Sequence, residues 1–200
     1  MNKVRIAVLV SGGGTNLQAL IDAQSAGIIS SGSIALVISN NRNAYALERA
    51  ANAGIATQVV IKKDCGSQDA FESRIKELLR AYEIDLIVLA GFMSILSENF
   101  TKDYSQRILN VHPSLIPSFC GKGYYGLRVH EEALAYGVKV TGATVHFVNE
   151  IPDGGKIILQ KAVDILEDDT PETLQRRVME QAEWKILPAA VESVSRGLLE

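Results

Sequence analysis

VRIAVLVSGGGTNLQALIDAQSAG, residues 4–27, is the stretch that decides the fold. It opens on Val4–Val10, a continuous and largely β-branched apolar run, as in a strand covered on both faces. A glycine turn, Ser11 to Gly14, ends the run. Leu17, Leu20 and Ile21 then recur at helical spacing across residues 16–26, and Gly27 supplies a stop signal. Strand, glycine turn and helix in direct succession predict the first unit of a parallel α/β sheet.

The unit repeats. Residues 34–39 (IALVIS) read as a second buried strand, 45–53 as a helix closed by Gly54, and 57–61 as a third strand. Residues 69–82 form an amphipathic helix with Phe71, Ile75, Leu78 and Leu79 on its apolar side, and 86–89 (LIVL) a fourth strand. Right-handed crossovers join such strands in parallel. The second half reads differently. A short strand at 107–111 leads into residues 113–128, rich in Pro, Gly and Tyr, a loop long enough to be functional or mobile. A helix at 129–136 precedes strands at 141–148 and 157–163, with only the turn-like 149–155 between them. Two strands without an intervening helix predict an antiparallel addition to the sheet. Thr170 as N-cap and Pro171 at the first helical position start a last helix, reaching about Arg196 and kinked or broken at Pro188. The expected fold is therefore a single-domain, doubly wound, Rossmann-like and mostly parallel sheet with helices on both faces. Residues 1–100 would be its phosphate-binding half and 101–200 its catalytic half.

With 200 residues, 47% of them hydrophobic and 22% charged, the chain fits one ordinary globular domain. A net charge of −3 gives no general attraction to nucleic acid or an anionic membrane, so any phosphate must be held locally. Cys65 and Cys120 have neither disulfide-framework nor zinc-knuckle spacing, and reduced thiols are expected. The apolar stretch Ile6–Val10 is too short for a secretory signal, and no run approaches the roughly 18 residues of a membrane span. The expected location is the cytoplasm, and the expected partners are small molecules.

Three places carry candidate chemistry. In parallel sheets ligands sit beyond the carboxyl ends of the strands, and Ser11 to Asn16 lies there. Its glycines allow close backbone approach, and the following helix offers unpaired N–H groups to an anion. The pattern is neither the dinucleotide fingerprint nor a P-loop. In Asn110-Val111-His112, alternation puts the amide and the imidazole on one face, a potential oxyanion donor beside a potential proton carrier. Asp153, in Pro152-Asp153-Gly154, reads first as a turn former, unless it reaches His112, where a carboxylate would raise the imidazole's pKa. His146 reads as a strand histidine and His130 as a surface or capping residue. The three histidines lack ligand spacing, so no metal site is expected.

Five stretches, taken in order, resemble the folate-dependent formyltransferase family, and within it the transformylases acting on glycinamide ribonucleotide. They are residues 8–23, 39–57, 89–97, 108–123 (ILNVHPSLIPSFCGKG) and 140–160 (VTGATVHFVNEIPDGGKIILQ). The resemblance implies that His112 transfers protons, that Asp153 raises its pKa and that Asn110 stabilises the oxyanion. It assigns Gly14, Thr15, Asn16 and Glu183 to the ribonucleotide substrate. Gln68, Met93, Ser94, Ile95, Leu96 and Asn110 fall to the folate, 10-formyltetrahydrofolate, acting as formyl donor without a metal. It implies direct attack of the amine on the formyl carbon by a monomer or weak homodimer. Gln68 and Ser94 stand where many members carry arginines, Cys120 replaces a usual proline, and Gly121–Tyr125 is longer than the matching loop in some members. Within the same superfamily, a formyltetrahydrofolate deformylase would let water attack, and such enzymes normally carry an extra N-terminal domain. A methionyl-tRNA formyltransferase normally carries an extra C-terminal one. A non-catalytic nucleotide-binding module would explain the glycine turn but not Asn110, His112 and Asp153.

Overall fold

A computed structural model describes residues 3–200. Seven strands form one sheet in the order β3-β2-β1-β4-β5-β6-β7. They are β1 (Val4–Val10), β2 (Gly32–Ser39), β3 (Ala56–Val59), β4 (Leu86–Leu89), β5 (Ile108–His112), β6 (Val140–Phe147) and β7 (Ile157–Asp164). The first five pair in parallel, while β6 runs antiparallel to β5 and β7 antiparallel to β6. The mostly parallel sheet with an antiparallel edge is thus the expected one.

The continuous apolar runs follow from two cores, one on each face. Along β1, Ile6, Val8 and Val10 join one core, while Ala7 and Leu9 join the other. In β4, Leu86 and Val88 go one way and Ile87 and Leu89 the other. This is the two-residue alternation of an extended chain with both faces apolar. The first core is closed by α1 (Thr15–Ser25), α2 (Tyr45–Asn52), α7 (Pro171–Val178) and α8 (Trp184–Leu199), through Leu17, Leu20, Ala46, Ala50, Leu174, Val178, Leu187 and Val191. The second is closed by α4 (Gln68–Ala81), through Phe71, Ile75, Leu78 and Leu79, with Phe100 from α5 (Glu98–Asp103). Among the described residues no helix is long and apolar enough to cross a membrane.

Two short helices, α3 (Lys62–Cys65) and α5, add to the expected elements. The last helical stretch also departs from expectation. It does not break at Pro188, which is buried inside α8. The irregularity falls earlier, where Met179–Glu183 forms a π-helical turn. The approach to that turn is firmly fixed. Thr170 and Thr173 form a reciprocal capping box at the start of α7. Arg177 grips the Asp169 carboxylate with two N–H groups, the Nη2–Oδ1 contact measuring 2.6 Å. That guanidinium holds the carboxyl down to about 2.

Between β1 and α1 the backbone must turn within the space left by α2. Gly14 takes φ 72°, and a Cβ there would stand 2.6 Å from the Ala46 Cβ and 2.8 Å from its Cα. A Cβ at Gly12 would meet nothing within 4 Å. Gly14→Ala is therefore expected to lose about 2 kcal/mol or more of stability, combining left-handed strain with overpacking, while Gly12→Ala loses far less. Chemical denaturation of the two variants tests this, and equal losses would contradict it.

Candidate active site

Chain order reverses direction across the sheet between β1 and β4, and the loops after β1, β4 and β5 open on the same side. They enclose a cleft of about 740 Å³. Asn16, Met93, Ser94, Ile95, Asn110, His112, Asp153 and Glu183 all line it. Residues more than 160 apart in sequence thus share one cavity, at the place where open α/β sheets bind ligands.

The polar wall is built by the antiparallel pairing of β5 with β6. Asn110 lies directly opposite His146, and His112 opposite Thr144. The turn between β6 and β7 then returns Asp153 to the same wall, with the residue at φ 56°. Its carboxylate lies among three side chains. Oδ2 is 3.5 Å from His112 Nδ1, and Oδ1 is 3.5 Å from Asn110 Nδ2 and 3.6 Å from His146 Nε2. The Gly121 N–H donates to Oδ2 at 2.8 Å. Asp153 is both the expected turn former and a member of the site. Burial pushes its carboxyl up, but the His146 and His112 rings and the Gly121 amide outweigh that and hold it below the ordinary carboxylate range.

His112 differs from expectation in its charge. It is 4% exposed, and burial lowers its pKa; Asp153 and the Phe119 carbonyl act upward, without reversing the shift. Asp153 therefore works in the expected direction but does not set the net one, because desolvation of a cation outweighs one carboxylate at 3.5 Å. The ring is therefore neutral at pH 7.

Opposite this wall stand Asn16 and Glu183. The π-helical turn carries Glu183 inward to 6% exposure, and Asn16 Nδ2 donates to its Oε2 at 2.6 Å. Burial raises the Glu183 pKa to about 6, against the opposing bond from Asn16. The Asn16 Oδ1 is buried and finds no hydrogen-bond partner among the described residues. Gly14 caps α1 without any side-chain hydrogen bond, which leaves the helix's first N–H groups open to an anion.

Other expected residues play different parts. Thr15 is not among the residues lining the cleft and donates its hydroxyl to the Met179 sulfur at 3.8 Å. Leu96 packs into the second core. Gln68 lies behind the cleft wall, donating to Glu72 Oε1 at 2.5 Å and to the Ile95 carbonyl at 3.1 Å. Ser94 accepts from Asn40 Nδ2 at 2.8 Å, and Met93 donates its N–H to Ser11 Oγ at 2.8 Å. The loop carrying Met93–Ile95 is thereby tied from beneath, with the Met93 and Ile95 side chains left exposed.

Two site residues were missed. His146 needs strand register to be placed against Asn110, and alternation in Thr144-Val145-His146 gives only its face. His130 is not a surface or capping residue. It is fully buried at the cleft, neither ring nitrogen has a partner among the described residues, and burial lowers its pKa to about 4.

Fold and cleft together define a doubly wound α/β protein with a polar-walled cleft beyond the carboxyl ends of its strands. Residues 4–191 match the formyl transferase family, and the chain belongs to it. It is 46% identical to the trifunctional purine biosynthetic protein adenosine-3 of Gallus gallus, covering 100% of this chain and 19% of that protein. The chain thus spans about a fifth of such relatives. Against the phosphoribosylglycinamide formyltransferase of Haemophilus influenzae it is 43% identical, over 98% of this chain and 89% of that one. Among solved structures, glycinamide ribonucleotide transformylase 1 from Symbiobacterium toebii superposes with a TM-score of 0.91 at 44% identity, covering 98% of this chain and 89% of that one.

The raised pKa of Glu183 has a consequence for stability. Between the ordinary 4.5 and about 6 the folded carboxyl holds a proton that the unfolded one has released. Stability contributed at this site is highest below 4.5, falls through that window and levels off above it. Glu183→Gln is expected to stabilise the protein by about 2 kcal/mol at pH 7.5 and to make little difference near pH 4. Melting curves at the two pH values check this, and no gain at pH 7.5 would count against a desolvated carboxylate.

Proposed function

We propose that the chain transfers the formyl group of 10-formyltetrahydrofolate to the amine of glycinamide ribonucleotide. The observation that carries this reading is the meeting of Asn110, His112 and Asp153 on one wall of a cleft. Its other sides hold the Asn16–Glu183 pair and the tied, apolar Met93–Ile95 loop.

The ribonucleotide's phosphate meets the uncapped start of α1 at Gly14 to Asn16, and Glu183 receives the glycinamide end. Met93 and Ile95 offer apolar surface to the folate, with Asn110 between the two ligands. The amine attacks the formyl carbon, and the carbonyl π electrons move onto oxygen. An Asn110 amide N–H donates to that oxygen as its charge grows. Neutral His112 takes the proton that the nitrogen sheds, and Asp153, still ionised, stabilises the imidazolium. Collapse of the tetrahedral adduct breaks the bond to folate N10, which leaves with a proton returned through His112. Formylated ribonucleotide and tetrahydrofolate result. The enzyme's own contribution is proximity, an oxyanion donor and a proton carrier.

Asn110→Ala and His112→Ala are each expected to lower turnover by roughly 10²–10⁴-fold with melting temperature retained. The assay follows folate absorbance with and without the ribonucleotide. Turnover in water alone would favour a deformylase, and absence of turnover a binding module. Because neutral His112 is the active form and its pKa is lowered, the rate should fall on acidification with a midpoint below 6.5. A midpoint well above that value would contradict a neutral resting imidazole.

A further inference from the structure

We propose that Phe119 is a positioning residue for His112. Held in a left-handed conformation by two tyrosine rings, it aims its backbone carbonyl at Nε2 and so leaves Nδ1 as the nitrogen that gains and loses the proton.

His112 Nε2 lies 2.8 Å from the Phe119 carbonyl oxygen. A carbonyl only accepts, so Nε2 must carry the hydrogen, and the neutral ring's free lone pair is on Nδ1. Nδ1 is the atom 3.5 Å from Asp153 Oδ2. Two residues beyond Phe119, the Gly121 N–H donates to that same carboxylate oxygen at 2.8 Å. The tripeptide Phe119-Cys120-Gly121 therefore holds both members of the pair, one through a carbonyl and the other through an amide.

The conformation that permits this is unfavourable on its own. Phe119 has φ 49°, and its side chain gives no local hydrogen bond in return, as Asn or Asp would. Neighbours supply the restraint. The Phe119 ring stands edge-on to Tyr124 at 6.4 Å and to Tyr136, in α6 (Leu127–Tyr136), at 6.0 Å. Upstream, buried Ser114 donates its hydroxyl to the Ser118 carbonyl at 2.6 Å. The Ser114 carbonyl accepts from Thr144 Oγ1 at 2.7 Å, and the Ile116 N–H reaches the same hydroxyl at 3.1 Å. Gln160 Nε2 donates to the Ile116 carbonyl at 3.0 Å. The segment is thus tied to β6 and β7 on one side and to aromatic rings on the other. Strain held in place by its surroundings beside reacting groups is the usual mark of pre-organisation. Asp153, His146 and His130 stand around the same imidazole.

The inference rests on the formyl-transfer reading for its catalytic part only. The test compares wild type with Phe119→Tyr, Phe119→Ala and Phe119→Gly, the last able to keep the backbone angle but lacking the ring. Nitrogen-15 spectra of the imidazoles, with the His112 signal identified by its loss in His112→Asn, report the tautomer without any substrate. Wild type and Phe119→Tyr should show the Nε2–H form. Phe119→Ala and Phe119→Gly should show a mixture, kcat reduced about tenfold with both KM values within about twofold, and the acid limb of the rate moved lower. An Nδ1–H ring in the wild type would overturn the proposal. So would Ala and Gly variants that lose melting temperature but keep tautomer and pH profile. Should the wild type fail to transfer formyl groups, the functional reading falls, and the ring's positioning is judged by the spectra alone.

Discussion

A strand apolar on both sides cannot host polar chemistry, and the middle of this sheet is made of such strands. In β1 and β4 alternate residues enter opposite cores, so the polar groups that line the cleft gather at the strand ends and beyond them. Helices cover both faces and close the remaining routes. The cleft forms where the loops after β1, β4 and β5 diverge, and its position is a consequence of the burial that stabilises the fold.

Parallel strands alone would not complete the site. The antiparallel return of β6 sets His146 across from Asn110, and the following turn brings a carboxylate back over β5. One carboxylate then contacts two imidazoles and an amide, an arrangement that depends on register rather than on chain proximity. Opposing effects balance there. Burial works against a charged His112 and for a protonated Asp153, while each supports the other's ionised state. The outcome is a neutral base beside an anion, ready to stabilise the cation once a proton arrives.

How much of this the sequence carries depends on whether a feature is local. Val4–Val10 and Leu86–Leu89 are readable to the residue, since a covered strand needs an apolar run, broken here only by exposed Arg5, with turn residues at its ends. The Thr170–Pro171 helix start is equally local. Four residues in α3 and six in α5 are too few to show an apolar period, although Ser97, whose hydroxyl accepts the Phe100 N–H, was a visible cap. Side chains such as His130 and His146 are less accessible to this reading. Their surroundings come from elements far away in sequence, and a histidine looks the same in a strand whether it faces water or a carboxylate. The shift of His112 is hidden for the same reason, because desolvation exists only once the cleft does. The expected break at Pro188 does not occur. The helix departs from regular geometry at Met179–Glu183 and then runs through the proline.

That wide turn also frees the length of the last helical stretch from its packing. A π-turn accommodates one residue more than a regular helix would, and each residue rotates the succeeding side chains by roughly 100°. Leu174 and Val178 before it, and Leu187 and Val191 after it, all belong to the same core, so the turn takes up the extra residue without turning either stripe away. Excising a single amino acid between 179 and 183 would leave a smoother helix with both apolar stripes still on the core, but it would remove the bulge that brings Glu183 to Asn16. The insertion that the hydrophobic seam accommodates is the one that places an acid in the cleft, so the acid could be lost while the packing is kept.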